Sequence, residues 1–329
     1  MTLALITGGS GHVGANLTRE LLNQDINVRC IDFDKDHRAF EGLDVDLIPG
    51  SVTDKESLDP IFNNVDIVFH TAAVISLERR NKDLINAVNV EGTRNICEAA
   101  MKHGVKRLIH FSSVDAFERY PLDEPLLEDR LLIENRNAVP YDLSKADAQR
   151  IVLDYCERGL DASIIHPSGV YGPHDYKPSL FGQTFVDIAN GKRQFNINMG
   201  YNYVDVRDLC KTALACIEKG KSGQNYIVSG NYMDFTYLSE IVSKELDRQL
   251  LKVTMPMFTL YLGLPFYFIQ SRVTRKPQAL TIDSIHTIKV QNKNIPGTLA
   301  KKELGHSPRG IDETLKDTVK FFKDLGAIR

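Results

Sequence analysis

The chain lacks any excess of charge. Forty lysines and arginines face 43 aspartates and glutamates, a net of -3 over 329 residues, so the basic footprint of a nucleic-acid binder is missing and no such partner is expected. Cysteine is scarce and odd in number: Cys30, Cys97, Cys156, Cys210 and Cys216 include no C-x-x-C pair. That excludes a disulfide framework and a zinc ribbon, leaves no metal site to expect, and points to a reducing, cytoplasmic compartment. Neither a basic n-region nor a long apolar h-region follows Met1, so no signal peptide is expected. Internal repeats and low-complexity tracts are missing as well. What is there is an ordinary globular composition, 43% hydrophobic and 25% charged with 22 Gly and 13 Pro, which excludes collagen-like and largely disordered chains. At roughly 150 residues per domain, the length suits two domains or one with a large insertion.

Short apolar runs bounded by Gly, Asp or Ser alternate with segments of helical period, the pattern of repeated βαβ units on a parallel sheet. Strands are predicted at Leu3–Thr7, Val28–Asp32, Asp46–Ile48, Ile67–His70, Arg107–Phe111 and Ala162–His166. Helices are predicted near Val13–Asn23, Asp54–Asn63, Lys82–His103 and Tyr141–Glu157. After about residue 166 the alternation breaks into Pro- and Gly-punctuated pieces such as Tyr171-Gly172-Pro173. The expected architecture is therefore α/β: a doubly wound parallel sheet over 1–166, then a smaller mixed α/β region over 167–329 that lines the substrate and returns some segments to the first.

The first strand runs into Gly8-Gly9-Ser10-Gly11-His12-Val13-Gly14 and then a helix. Such a turn lets backbone approach a pyrophosphate, whose charge rests on the free N–H groups at the helix start. A ligand-free tight turn is the bland alternative, but Asp32 closes the second strand 18 residues after Gly14, where a carboxylate can accept from adenosine ribose hydroxyls. The same anion disfavours a 2′-phosphate, so NAD is expected. NADP stays open if Lys35 or Arg38 folds back to take that phosphate.

Tyr141-Asp142-Leu143-Ser144-Lys145 opens a helix behind Pro140, and the spacing of four sets phenol and ammonium on one face, one turn apart. A nearby cation favours phenolate and makes Tyr141 a workable proton donor and acceptor. Ser112-Ser113 follow the strand Arg107–Phe111, at the carboxyl end where open α/β sheets bind ligands.

With these motifs in order, the chain resembles the extended short-chain dehydrogenase/reductases, the NAD-dependent epimerase/dehydratase family. Further matches are Asp54, His70-Thr71-Ala72-Ala73, Asn89-Val90-Glu91-Gly92-Thr93, Phe111-Ser112-Ser113 and Pro167 to Pro173. The resemblance implies that Tyr141 is the acid/base, that Lys145 lowers its pKa and holds the nicotinamide ribose, that Ser113 donates to the substrate oxygen, and that Asn89 supports a proton-relay water. It assigns cofactor contacts to Gly8, Gly11, His12, Val13, Gly14, Asp32, Ser51, Val52, Thr71, Ala72, Ala73, Tyr141, Lys145, Pro167 and Ser168. Two positions depart from the family: Ser51 replaces an adenine-contacting Asp, and His166 stands where Arg is common.

Within the family, 4,6-dehydratases follow the catalytic hydroxyl with an Asp-Glu pair; here Ser113 precedes Val114-Asp115. Nucleotide-sugar epimerases place an Arg before the segment Tyr203 to Asp208, to grip a diphosphate; here Tyr201-Asn202 stand there, which suits a largely apolar substrate better. The chain resembles more closely the dihydroflavonol-reductase and 3β-hydroxysteroid-dehydrogenase branch. A ketone or aldehyde reductase, or alcohol dehydrogenase, is expected; a sugar epimerase or dehydratase and a non-catalytic dinucleotide sensor are the alternatives. Val253–Ser271 holds 19 uncharged residues, but Pro256, Gly263 and Pro265 argue against a membrane span and leave lid, core or membrane-touching surface. The resemblance also implies a homodimer, pairing the helices that carry Asn89 and Tyr141.

Overall fold

The computed structural model describes residues 2–76, 78–192, 196–197, 199–248, 253–274, 281–282, 285 and 289–329. Within the strands, alternate residues face opposite ways. Ala4, Ile6, Val28, Cys30, Ile67, Phe69, Ile109, Phe111 and Ile165 share one hydrophobic cluster, whereas Leu5, Ile31, Val68, Leu108, Ala162 and Ile164 share another. A strand apolar on both faces must be covered on both, which is the condition for a buried parallel sheet between helices.

Six strands form where the sequence places them: β1 (Leu3–Thr7), β2 (Asn27–Asp32), β3 (Asp46–Pro49), β4 (Ile67–His70), β5 (Arg107–Phe111) and β6 (Ala162–Pro167). Helix α1 (His12–Leu22) covers the first face with Ala15, Leu17 and Leu21. On the second lie α2 (Lys55–Ile61), α4 (Gly92–Lys102) and α5 (Pro140–Glu157), through Leu58, Ile96, Cys97, Ile151 and Val152 among others.

Beyond residue 166 come β7 (Gly169–Tyr171), α6 (Leu180–Ala189), β8 (Asn196–Ile197), β9 (Gly200–Asp205), α7 (Val206–Lys219), β10 (Asn225–Val228), β11 (Asn231–Asp234), α8 (Phe235–Leu246), β12 (Thr254–Met255), α9 (Thr259–Thr274) and α10 (Ile311–Asp324). Strand β10 joins the main sheet, whose order is β10-β6-β5-β4-β1-β2-β3 with every pairing parallel. Helix α7 adds Leu209, Cys210 and Ala213 to the first face. A smaller mixed sheet, β11-β9-β7, has its own core with Phe185, Leu238 and Phe322.

One predicted helix differs. Over Lys82–His103 the chain makes a short α3 (Lys82–Ile85), a π-helical stretch Asn86–Glu91, then α4. The widened turn coincides with Asn89, whose side chain is engaged outside the helix, the usual setting of a π-bulge. The Val253–Ser271 segment, for its part, is not core: none of its residues is buried.

Candidate active site

The strand order reverses between β1 and β4, and a doubly wound sheet opens a crevice at that reversal, beyond the carboxyl ends of the strands. Thr7 and His70 end the two strands side by side. Thr7 Oγ1 accepts from Ala72 N (3.1 Å) and lies 2.8 Å from His70 Nδ1, and Thr71 Oγ1 donates to Thr7 O at 2.7 Å. Thr71, Ala72 and Ala73 are thereby stitched to the glycine turn. Burial pushes the His70 imidazole down to about 3, so it is a neutral structural link.

The turn itself must be glycine where the sequence has it. Gly8 adopts φ +71°, and a Cβ on Gly14 would stand 2.4 Å from Gly8 O. Gly11 caps α1 without a side chain, and the first turn of α1 carries no acidic residue, leaving its positive end for an outside anion. His12 Nε2 meets Pro173 O at 3.1 Å, and Asn16 Nδ2 donates to the same carbonyl, while Val13 sits half-buried against the core. Asp32, buried at the end of β2, accepts from Ser10 N at 2.6 Å and Asp34 N at 2.9 Å. Arg38, a possible 2′-phosphate ligand, is bound to Asp36 at 2.6 Å. An unforeseen cation, Lys177, reaches Asp34 (2.7 Å) and the Ser10 hydroxyl from 167 residues away.

Ser51 Oγ pairs with Thr53 Oγ1 at 2.8 Å, and buried Val52 gives its carbonyl to Asn95. On the far side of the crevice, Pro167 ends β6, and Ser168 is buried with a hydroxyl that finds no partner among the described residues.

Pro140 occupies the first turn of α5, where its missing N–H costs nothing. Tyr141 and Lys145 follow on one face. The Ser113 hydroxyl lies near enough to the Tyr141 phenol to pull it down; it donates to Asp115 Oδ2 at 3.4 Å and accepts from Asp115 N at 3.1 Å. Ser112 turns the other way, to Gln149 Oε1 at 3.2 Å, so of the two serines Ser113 is the one beside Tyr141. Asn89 clamps the backbone of Val74 through both amide atoms (2.7 and 3.1 Å) and reaches Ser144 Oγ at 2.9 Å. It thus ties the Thr71–Val74 segment to α5. His166 lies 3.0 Å from Ser113 O and 3.2 Å from Asn225 Oδ1; burial pushes it down to about 4.

The electrostatics differ from the simple phenol-and-ammonium pair. Buried Lys145 donates to Phe111 O at 2.7 Å, and desolvation pushes it down to about 8. Burial raises the Tyr141 phenol, Asp115 and Asp142 raise it further, and only Ser113 opposes them, so the phenol keeps its proton. Those carboxylates belong to a cluster that spacing did not disclose. Arg119 bridges Asp142 (2.6 Å) and Asp115 (3.0 Å). Burial, then the charge of Asp115, pushes Asp142 up to about 7 against the pull of Arg119. Tyr201 of β9 lies in the field of the same cluster, its phenol raised mainly by burial, and so brings the smaller sheet to the catalytic helix.

Fold and cradle together define an α/β protein of the dinucleotide-binding type, with a buried tyrosine near the carboxyl end of β5. Comparison narrows the class: the model of the NAD dependent epimerase/dehydratase family matches residues 4–229, and the chain belongs to that family. It is 29% identical over 329 residues to Sterol demethylase protein B of Methylococcus capsulatus, covering 98% of this chain and 99% of the relative. It is 28% identical to a putative dihydroflavonol 4-reductase of Synechocystis, covering 98% and 95%. The crystal structure of gox2253 superimposes over the whole of both chains with a TM-score of 0.85 and 29% identity. NAD, the cofactor in the family's description, fits what is present: a cradle that a Cβ at Gly14 would fill and an unsatisfied Ser168 hydroxyl across from it.

Proposed function

We propose that the protein is an NAD-dependent oxidoreductase that interconverts a ketone and a secondary alcohol on a largely apolar small molecule, a sterol-like or similar polycyclic skeleton being the class that the relatives' names suggest. The observation that carries the reading is the placing of Ser113, just past the carboxyl end of β5, beside the buried Tyr141 phenol, with Lys145 one turn further along α5. Bound NAD supplies the hydride when reduced and takes it when oxidised. In the reducing direction Ser113 donates to the carbonyl oxygen and orients it. Tyr141 then gives that oxygen its proton as the carbon gains hydride, and solvent returns a proton to the phenol. Lys145 holds the nicotinamide ribose and, released from Phe111 O, favours the phenolate left behind.

NAD rather than NADP is favoured by the Asp32 carboxylate and by the engagement of Arg38 with Asp36. A diphosphate substrate is disfavoured because Arg207 and Arg309 are taken by Asp205, Asp317, Asp208 and Glu313. Water elimination is disfavoured by Val114, which leaves one carboxylate after Ser113, and Arg119 holds that one. On this reading residues 1–166 hold the cofactor, and 167–329 mainly shape the substrate pocket, with Tyr201 facing the acid.

Among the described residues no helix is long and apolar enough to cross a membrane. The free cysteines suit a reducing, cytoplasmic compartment. A homodimer through α4 and α5 belongs to the same proposal.

The test is turnover. Tyr141→Phe removes the transferable proton without touching the glycine cradle, so kcat for ketone reduction with NADH should fall about 100- to 10,000-fold while NADH affinity holds. Undiminished kcat in the variant would refute the assignment.

A further inference from the structure

Helix α9 is built inside out. Surface helices turn an apolar stripe to the core and a polar face to water. Here no residue from 253 to 273 is buried, and large apolar side chains stand well exposed: Phe258 64%, Leu262 75%, Phe266 65%, Ile269 62% and Val273 77%. Their spacings of four, four, three and four residues form one stripe along the outward side of the helix. Scattered exposed apolar residues need no explanation, but a contiguous patch marks an interaction surface.

The charge around this stripe is one-sided. Between Asp247 and Asp283 the sequence holds Arg248, Lys252, Arg272, Arg275 and Lys276 and no acid; of these Arg248, which donates to Ala189 O, and Arg272 are among the described residues. In a chain of net -3, the sequence running through this apolar stripe thus carries five cations and no acid.

We propose that α9 docks the protein on an anionic phospholipid surface, with the Phe258-to-Val273 stripe entering the headgroup–acyl boundary and the cations meeting lipid phosphates. Sixteen residues at about 1.5 Å each reach about 24 Å, short of the roughly 30 Å hydrocarbon layer. With Pro265 in its middle, the helix lies in the interface plane rather than across the bilayer. A second copy of the chain is the rival occupant. A two-fold contact stripe on stripe would bring two such cationic segments together, a like-charge juxtaposition that opposes pairing. The inference is independent of the catalytic reading, since it rests on no residue of the active site.

The experiment is flotation of the full chain with vesicles of phosphatidylcholine alone and of phosphatidylcholine with a quarter phosphatidylglycerol. The protein should float with the anionic vesicles, weakly with neutral ones, and less in high salt. Leu262→Glu with Phe266→Glu should abolish flotation. Arg272→Glu, which leaves the stripe intact, should weaken it more than the roughly fivefold expected for removing one interfacial cation. Circular dichroism and urea midpoints equal to those of the wild type report that the variants are folded. No flotation of the wild type, equal flotation on both vesicle types, or full flotation of the double variant would overturn the proposal. So would light scattering that shows a dimer lost in the double variant without vesicle binding.

Discussion

At the scale of single residues, the least visible part of the site is the most exposed to test. Arg119 stands between the serine loop and the first turn of α5, holding Asp115 with one contact and Asp142 with the other. Removing a buried partner leaves uncompensated carboxylates in a desolvated place, typically at a cost of about 3–5 kcal/mol. Arg119→Ala should therefore lower the denaturant midpoint and reduce kcat, because the Asp115 that steadies Ser113 loses its own anchor. Arg119→Lys should restore part of both. An unchanged midpoint and kcat in the alanine variant would remove the cluster from the account. The placing of Tyr141 and Lys145 on one turn of α5, and of Ser113 just past β5, was legible because local spacing and strand ends announce it. Arg119 and Lys177 were not, since their partners lie 23 and 167 residues away and no periodicity encodes such contacts. Nor could spacing reveal that Phe111 O holds Lys145, or that burial and two carboxylates raise the phenol.

Among the elements, the six strands of the first half were legible to within a residue or so, since each is a short apolar run ended by a residue of the crevice. The helix over 82–103 was legible as a helix, but not its π-helical middle. That stretch answers to the tertiary contacts of Asn89 with Val74 and Ser144, not to propensity. Most of the apolar side chains of α4 and α5 are used within one chain: Ile96, Leu143, Ile151, Val152 and Tyr155 are all buried. What supports pairing is the remainder, exposed Leu84 and Met101 beside half-buried Val88. The expected outcome is a mass in light scattering of twice the 37.0 kDa of one chain, reverting to one chain in Leu84→Glu with Met101→Glu. The single-chain mass for the wild type would contradict it.

For the whole molecule, burying neutral histidines along the central strands sets a pH dependence. His70 is pushed down to about 3 and His166 to about 4, and His110 is lowered too, burial being the chief cause in each. Unfolded histidines titrate near 6.5, so below that pH the unfolded chain binds more protons than the native one. The stability tied to these groups is complete above about 6.5 and is lost as pH falls through 6.5 toward 3, by about 1.4 kcal/mol per unit and per histidine. Asp142, raised to about 7, works in the opposite sense over the upper part of that window, as one group against three. Urea midpoints should fall clearly between pH 7.5 and pH 4.5; equal midpoints would contradict the burial of neutral rings.

The central claim, net oxidoreduction by a Tyr141 acid on an apolar ketone, separates from epimerase or dehydratase chemistry by stoichiometry. In those reactions the nicotinamide is reduced and reoxidised within one turnover and none is consumed. The direct measurement is to incubate the enzyme with 4-deuterated NADH and a polycyclic ketone, and to quantify NADH, alcohol and label together. The account predicts one NADH consumed per alcohol formed, with the label on the carbinol carbon, and neither in Tyr141→Phe. Product formed with catalytic cofactor and no net consumption, or label transfer undiminished without the phenol, would contradict it.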